Sequence, residues 1–331
     1  MCGIIGGTKN TWDYDGAIKI LRHRGPDSQR IKDFGNFTLA FVRLAIIDLS
    51  PMADQPMSSE EAQVHIVFNG EIYGFKRLRE QLISQGYHFL THSDTEVLLK
   101  AYLFWGDNFV EHIDGMFAIA ILDQRSQKIK LFRDRPGIKP LYYLFNGTDF
   151  AFASELKGIK ALCRDQDFKY DNTAIYDYLT YKYIPDPKSL YKNVYKLSPA
   201  HQLTYDISTH SIIENKPFWR LSVPQNPGPM ALHSATTRLR DLIKESVADQ
   251  MVADVPVGFF LSGGMDSSVV VAESSFVSSH LNTFSIGFDD PRYTETTYAK
   301  IIADRFRTNH FSKTLTYSDN SALLNKLPGW Y

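Results

Sequence analysis

The most restrictive feature of this chain is a change in its apolar pattern, from period-two alternation to strand–helix alternation, on either side of a proline-dense segment. Before that segment, residues 37–43, 64–68, 117–122, 128–132 and 150–153 alternate as half-buried strands do. Residues 75–85 and 95–105 instead space apolar side chains at helical intervals, with Ser93 or Asp94 as the cap of the second stretch. A further helix is expected over 171–182, broken afterwards by the two prolines of Tyr183-Ile-Pro-Asp-Pro-Lys. This half reads as mixed α and β with much antiparallel sheet.

Residues 217–229 carry prolines that remove backbone donors and hold the chain extended. Beyond them the order is helix (231–252), strand (257–261), helix (266–274), strand (283–288) and helix (294–306), the signature of a parallel sheet wound by helices. A chain of 331 residues also exceeds what one core usually organises. Two domains are therefore expected, over 1–205 and 231–331, joined by a linker over 206–230.

Charge and composition exclude some partners. Thirty-six basic against 37 acidic side chains leave no electrostatic footprint for nucleic acid or anionic lipid. No apolar run approaches the ~18 residues of a membrane span, and the N-terminus lacks the basic and apolar regions of a signal peptide. Only two cysteines occur, Cys2 and Cys163, which fits a reducing compartment; the cytoplasm is the expected location.

Cys2 is the first residue that points to chemistry. Removal of Met1 would leave it with both a thiol and a free α-amine, which titrate near ~8.5 and ~7.7–8.0 when unperturbed, so the amine can act as the thiol's base. Four further motifs stand at strand or helix ends: His23-Arg24-Gly25-Pro26-Asp27, Arg43-Leu-Ala-Ile-Ile-Asp48, Phe68-Asn69-Gly70-Glu71-Ile72-Tyr73 and Ser93-Asp94-Thr95-Glu96. Singly, each has a structural reading; Asn69-Gly70, for example, is a common hairpin turn. In this order, behind Met1-Cys2-Gly3-Ile4, they resemble the glutaminase domain of class II glutamine amidotransferases. Gly115-Met-Phe-Ala, Asp134-Arg-Pro-Gly-Ile-Lys-Pro-Leu-Tyr-Tyr143 and Phe152-Ala-Ser-Glu155 extend the resemblance to about residue 205. Ser28 and Gln29, Gly74 and Pro136 depart from the family pattern without removing a catalytic atom.

The resemblance implies an α+β N-terminal-nucleophile fold, a four-layer αββα sandwich with glutamine bound beside Cys2. It implies Asn69 and Gly70 as donors to the tetrahedral oxyanion, an arrangement whose loss typically costs roughly 2.7–4 kcal/mol of barrier per donor. It further implies Arg43 as a two-pronged grip on the substrate carboxylate, Glu71 and Asp94 on its ammonium, and backbone groups near Leu44 and Ile46 in the pocket. Arg24 reads as support for the nucleophile.

The second half carries Leu261-Ser262-Gly263-Gly264-Met265-Asp266-Ser267-Ser268 between a strand and a helix. Glycines there let backbone N–H groups close on an anion, and serine hydroxyls and the helix N-terminus add to the attraction. The segment resembles the loop of ATP pyrophosphatases, which implies a partial α/β Rossmann-like domain binding ATP, with Asp266 as the Mg2+ ligand and Leu261 and Ile286 meeting the nucleotide. Together the halves resemble the glutamine-hydrolysing asparagine synthetase B family, and residues 183–201 resemble its exopolysaccharide- and exosortase-associated branch. The family's activity implies glutamine, aspartate and ATP as substrates and passage of ammonia to β-aspartyl-adenylate. A second copy of the chain, or a separate chain completing the synthetase half, is the partner implied. Because such chains continue for a few hundred residues more, the synthetase half is expected to be incomplete, as in a truncated gene. Two alternatives stay open: a glutaminase or split amidotransferase acting on another carboxylate, such as a surface glycan, and a non-catalytic interaction remnant.

Overall fold

The computed structural model describes residues 1–223, 228, 230–290, 292–316 and 324–327. The chain separates into two compact units, Met1–Val223 and Pro224–Tyr331. The first runs β1 (Gly3–Gly7), α1 (Tyr14–Leu21), β2 (Ser28–Asp33), β3 (Thr38–Arg43), β4 (Met57–Ser58), β5 (Val64–Tyr73), α2 (Phe75–Ser84) and α3 (Asp94–Trp105). It continues with β6 (Asp114–Asp123), β7 (Lys128–Arg133), β8 (Tyr142–Phe145), β9 (Phe150–Ala153), α4 (Leu156–Leu162), α5 (Asn172–Tyr181), β10 (Val194–Lys196), β11 (His201–Asp206) and β12 (Ser211–Pro217).

These strands form two antiparallel six-stranded sheets, ordered β10-β8-β9-β1-β3-β2 and β12-β11-β7-β6-β5-β4. The period of two in a strand sends alternate side chains to opposite faces, and in the first sheet both faces are buried. Ile4, Leu39, Phe41, Phe150 and Phe152 point between the sheets, where they meet Val67, Ala118, Ala120, Leu122, Leu131 and Leu203 of the second sheet. Their neighbours Ile5, Ala40, Val42, Ala151 and Ala153 face the other way, onto Ala17, Ile18 and Leu21 of α1 and Ile159 and Leu162 of α4. Helix α3, capped by the Ser93 hydroxyl on the Glu96 N–H at 3.2 Å, covers β4 and β5 of the second sheet. The result is the four-layer αββα sandwich.

Two expectations change here. Strand β5 does not end at Phe68 as the alternation predicts but runs on through Tyr73, with Asn69 opposite Ala118 and Gly70 opposite Phe117. Residues 211–217, inside the expected linker, form β12 paired along β11, because a strand with its own apolar and ladder partners cannot also be a free connection. The remainder of that linker includes 224–227 and 229, which lie outside the described residues, as do 328–331 of the expected incomplete end.

The second unit contains α6 (Leu232–Gln250), β13 (Gly258–Phe260), α7 (Met265–Val277), β14 (Asn282–Phe288), α8 (Thr296–Phe306) and β15 (Asn309–Leu315). Its three strands are parallel in the order β13-β14-β15. Strand β15 has no clear alternation in sequence and was not expected. Leu261, Val271, Leu281, Ala299 and Ala303 make a small core. Phe260, Phe284 and Phe311 stand in register across the three strands and are exposed by 85%, 41% and 49%, so this apolar stripe is not part of that core.

Phe152 is buried between the two large sheets, with its ring stacked on Phe37 at 6.2 Å and packed over Gly6. Truncation there removes apolar contact and leaves a hole that neither sheet can close. Phe152→Ala should lower unfolding stability by about 3–5 kcal/mol, measured by urea denaturation of the full chain.

Candidate active site

Residues spread over the first 140 positions line one cavity of about 180 Å³ in the first unit. Cys2, Arg43, Leu44, Ile46, Asn69, Gly70, Glu71 and Asp94, all singled out in the sequence, lie on its wall. Cys2 immediately precedes β1, which the ladder holds against β3 with Gly3 opposite Val42. That register brings the thiol beside the chain leaving β3: Cys2 Sγ lies 3.4 Å from the Leu44 N–H nitrogen and 3.5 Å from the Leu44 carbonyl oxygen. The Arg24 Nε–H donates to the Cys2 carbonyl at 2.9 Å, and its guanidinium is fixed in turn by Glu155 at 2.6 Å. Arg24 thus supports the Cys2 backbone.

Across the cavity stands Asn69, 1% exposed, whose side-chain nitrogen and oxygen have no hydrogen-bond partner. Leaving a buried amide unpaired costs roughly 1–3 kcal/mol, so a native structure that keeps one has a use for it. Gly70 follows where the chain passes so close to β6 that a Cβ would lie 2.0 Å from the Met116 carbonyl oxygen; only glycine fits. Gln55 fixes this stretch of β5 by accepting from the Phe68 N–H at 2.5 Å and donating to Thr95 Oγ1 at 3.1 Å.

The charged groups depart from their ordinary behaviour. Burial pushes the Cys2 thiol pKa up, opposed by the Leu44 N–H and the nearby terminal amine. Burial lowers the pKa of the Met1 ammonium, which stands at the terminus of this chain, with Arg24 and Lys139 adding to the effect and Cys2 opposing it. Asp94 begins α3 and accepts from the Ile72 N–H at 3.2 Å; burial raises its carboxyl to about 7, with that hydrogen bond opposing. Glu71 is raised by burial too, and Lys139 opposes the shift.

Arg43 differs from expectation. Its Nη1 donates to Asp54 at 2.7 Å and to the Ser50 carbonyl at 2.8 Å, and its Nη2 donates to the carbonyls of Asp48 and, at 3.5 Å, Ile47. The two-pronged fork is therefore spent on organising the loop that follows β3, because four carbonyl and carboxylate acceptors converge on it. A second arginine, Arg30, lies 2.9 Å from Asp54, so two guanidinium groups share one carboxylate, and of the three residues Arg43 lines the cavity.

Residues not singled out as site residues also line the cavity, among them Gln55, Ser93, Thr95, Met116 and Lys139. Lys139 belongs to the Asp134–Tyr143 motif, which in the sequence serves only to extend the resemblance. Its place in the cavity depends on a loop whose return across the sheet has no local sequence signal.

In the second unit, Leu261, Ser262, Ser267 and Ile286 line a separate cavity at the carboxyl ends of β13 and β14. Gly263, Gly264, Asp266 and Ser268 belong to the adjoining strand–helix turn and do not line it. The turn is held by Ser262 and Ser267 hydroxyls 3.1 Å apart and by the Ser268 hydroxyl on the Gly264 carbonyl at 2.7 Å. Gly263 has φ +82°, and a Cβ there would lie 2.5 Å from the Ala299 nitrogen. This is the tight backbone that an anion-binding turn before a helix requires. Among the described residues, no group of three or more His, Cys, Asp or Glu side chains is arranged to hold a metal ion, and no helix is long and apolar enough to cross a membrane.

Comparison with known proteins agrees with both halves. Residues 1–219 match the family described as "Glutamine amidotransferase domain" and residues 238–331 the family described as "Asparagine synthase". The chain is 36% identical over 329 residues to putative asparagine synthetase (glutamine-hydrolyzing) 2 of Methanocaldococcus jannaschii, covering 93% of this chain and 62% of that protein. It is 35% identical over 337 residues to asparagine synthetase (glutamine-hydrolyzing) 1 of Bacillus subtilis, covering 99% of this chain and 52% of the relative. It therefore spans about half to three-fifths of these relatives. In fold it is similar to glutamine phosphoribosylpyrophosphate amidotransferase from B. subtilis complexed with ADP and GMP, with a TM-score of 0.50 and 17% identity, covering 94% of this chain and 65% of that structure. With an amidotransferase sandwich, an asparagine synthase segment behind it and relatives of that name along nearly its whole length, the chain belongs to the glutamine-hydrolysing asparagine synthetase family.

Proposed function

We propose that the first unit hydrolyses glutamine to glutamate and ammonia, with Cys2 as the nucleophile once Met1 is removed. The observation that carries this reading is the pairing, in one cavity, of a thiol at the second residue with the orphaned Asn69 amide. The Cys2 α-amine takes the thiol proton, and the sulfur attacks the carbon of the glutamine side-chain amide. The oxygen that becomes negative is met by the Asn69 amide N–H and the Gly70 N–H, donors that need no reorganisation. As the carbon–nitrogen bond breaks, the ammonium at Cys2 returns its proton to the leaving nitrogen. Water then hydrolyses the thioester. Glu71 and Asp94 take the substrate's α-ammonium, and the Arg43 cluster supplies positive charge for its carboxylate.

The second unit is read as the nucleotide-binding part of the synthetase. The Gly263–Gly264 turn, the hydroxyls of Ser262, Ser267 and Ser268 and the start of α7 suit the phosphates of ATP, with Leu261 and Ile286 beside the base or sugar. Asp266, on the first turn of α7, suits Mg2+ held mainly by phosphate oxygens, for which one protein carboxylate is enough. Bound ATP would supply activation of the aspartate side-chain carboxylate as an adenylate with release of pyrophosphate, and ammonia would then displace AMP to give asparagine. The relatives bearing the asparagine synthetase name support that acceptor.

The first test is ammonia release from glutamine by the full chain, with mass spectrometry of its N-terminus. Met1 should be absent, and Cys2→Ala should abolish release; a retained Met1 with undiminished hydrolysis would sink the N-terminal amine as base. Asn69→Ala should lower kcat by about 10²–10³-fold while the thiol still reacts with an alkylating agent.

Asp94 gives a pH-dependent prediction. Its folded-state carboxyl titrates near 7, above the unfolded ~3.9, so the fold favours the protonated acid. Stability then falls with rising pH between about 4 and 7, at up to about 1.4 kcal/mol per unit, and is level above. Asp94→Asn should gain Tm relative to the parent over that range, with no further gain above pH 7, while raising KM for glutamine about tenfold or more.

A further inference from the structure

Lys139 is the group in the cavity that the reaction scheme above leaves unused. It is 5% exposed, lines the same wall as Met1, Cys2 and Glu71, and its ammonium has no hydrogen-bond or ion-pair partner among the described residues. Its backbone is held firmly. The buried Asp134 carboxylate accepts from the N–H groups of Phe117, Ile138 and Lys139 at 3.1, 2.7 and 2.9 Å, and the Arg133 Nε–H donates to the Lys139 carbonyl at 2.9 Å. Such a loop fixes the start of the Lys139 stem while leaving its charged end to the cavity. Its stem is buried while its ammonium is not among the orphaned buried atoms and opens to the cavity, where the Glu71 carboxylate acts on it.

We propose that Lys139 is a positioning residue for the nucleophile, its ammonium keeping the Cys2 amine unprotonated and favouring ionisation of the thiol. This rests on the reading of Cys2 as an N-terminal nucleophile. The charges facing it come from every side: Cys2 and the Met1 amine from the segment just before β1, Glu71 from β5, Arg24 from the turn after α1, and Asp134 from its own loop. Arg43 and Asp94 act on the same thiol. Glu71 supports the charged form of Lys139, whereas burial and Arg24 oppose it. A cation in the same cavity as both groups stabilises a thiolate and destabilises an ammonium. It therefore works in both halves of the first step. The amine starts free to accept the thiol proton, and the ammonium it becomes readily passes that proton to the departing nitrogen as the carbon–nitrogen bond breaks.

The test uses the full chain with Met1 removal verified, comparing the parent with Lys139→Met, which keeps an apolar stem, Lys139→Gln and Lys139→Arg. The rate of Cys2 alkylation by iodoacetamide is followed against pH by peptide mapping, beside the pH profile of kcat/KM for glutamine. Loss of the charge should move the alkylation midpoint and the acid limb of kcat/KM upward together by about one pH unit, so that alkylation on the acid side slows roughly tenfold. Lys139→Arg should restore the parent profile. A lysine that merely packs would lower Tm and leave the midpoint in place, and coincident midpoints for parent, Lys139→Met and Lys139→Gln would overturn the proposal. If Cys2→Ala still hydrolyses glutamine, the reading of the site itself fails; if hydrolysis needs Cys2 and the midpoints coincide, only the role of Lys139 fails.

Discussion

The register of β1 between β3 and β9 is the constraint on which the first unit depends. Gly3 opposite Val42 and Ile5 opposite Ala153 set which side of the sheet each residue faces, and they leave Cys2 against the Leu44 backbone. A slip of one residue would exchange Ile4 and Ile5 between the inter-sheet core and the helical layer and swing the thiol away. The slip is opposed on both faces, since both are packed, and at the end of the strand by Arg24 on the Cys2 carbonyl.

That rigidity is what allows the cavity to hold groups that would otherwise be unfavourable. An unpaired Asn69 amide, a carboxyl raised to about 7 at Asp94, a thiol raised by burial and a lysine with no partner all sit within one pocket. Each costs stability in the absence of substrate, and the extensive two-sheet core offsets them. Preorganised donors and charges in a shielded site are also what stabilises a developing oxyanion, so the same burial serves both effects.

The second unit works on a shorter length scale. Its Gly263–Gly264 turn is defined within a few residues by the positive φ of Gly263, the start of α7 and hydroxyls that bond within the loop. Its core is small, and the phenylalanine stripe across β13–β15 remains exposed. A strand–turn–helix of this kind needs only local backbone, which explains why it reads clearly from sequence while the cavity of the first unit needs segments far apart in the chain.

The sequence by itself determined the strand and helix periods, the break in pattern before the second unit, and the residue types of both sites, because periodicity and side-chain chemistry are local properties. Short strands such as β4, β8 and β10, and the weakly patterned β15, were not legible, since they exist through pairing with distant partners. Tertiary structure alone decided that Asn69-Gly70 continues a strand, that Arg43 spends its fork on the loop behind it, and that Lys139 lines the same cavity as Cys2. In each case the deciding quantity is burial against a partner remote in sequence, and no window of residues contains it.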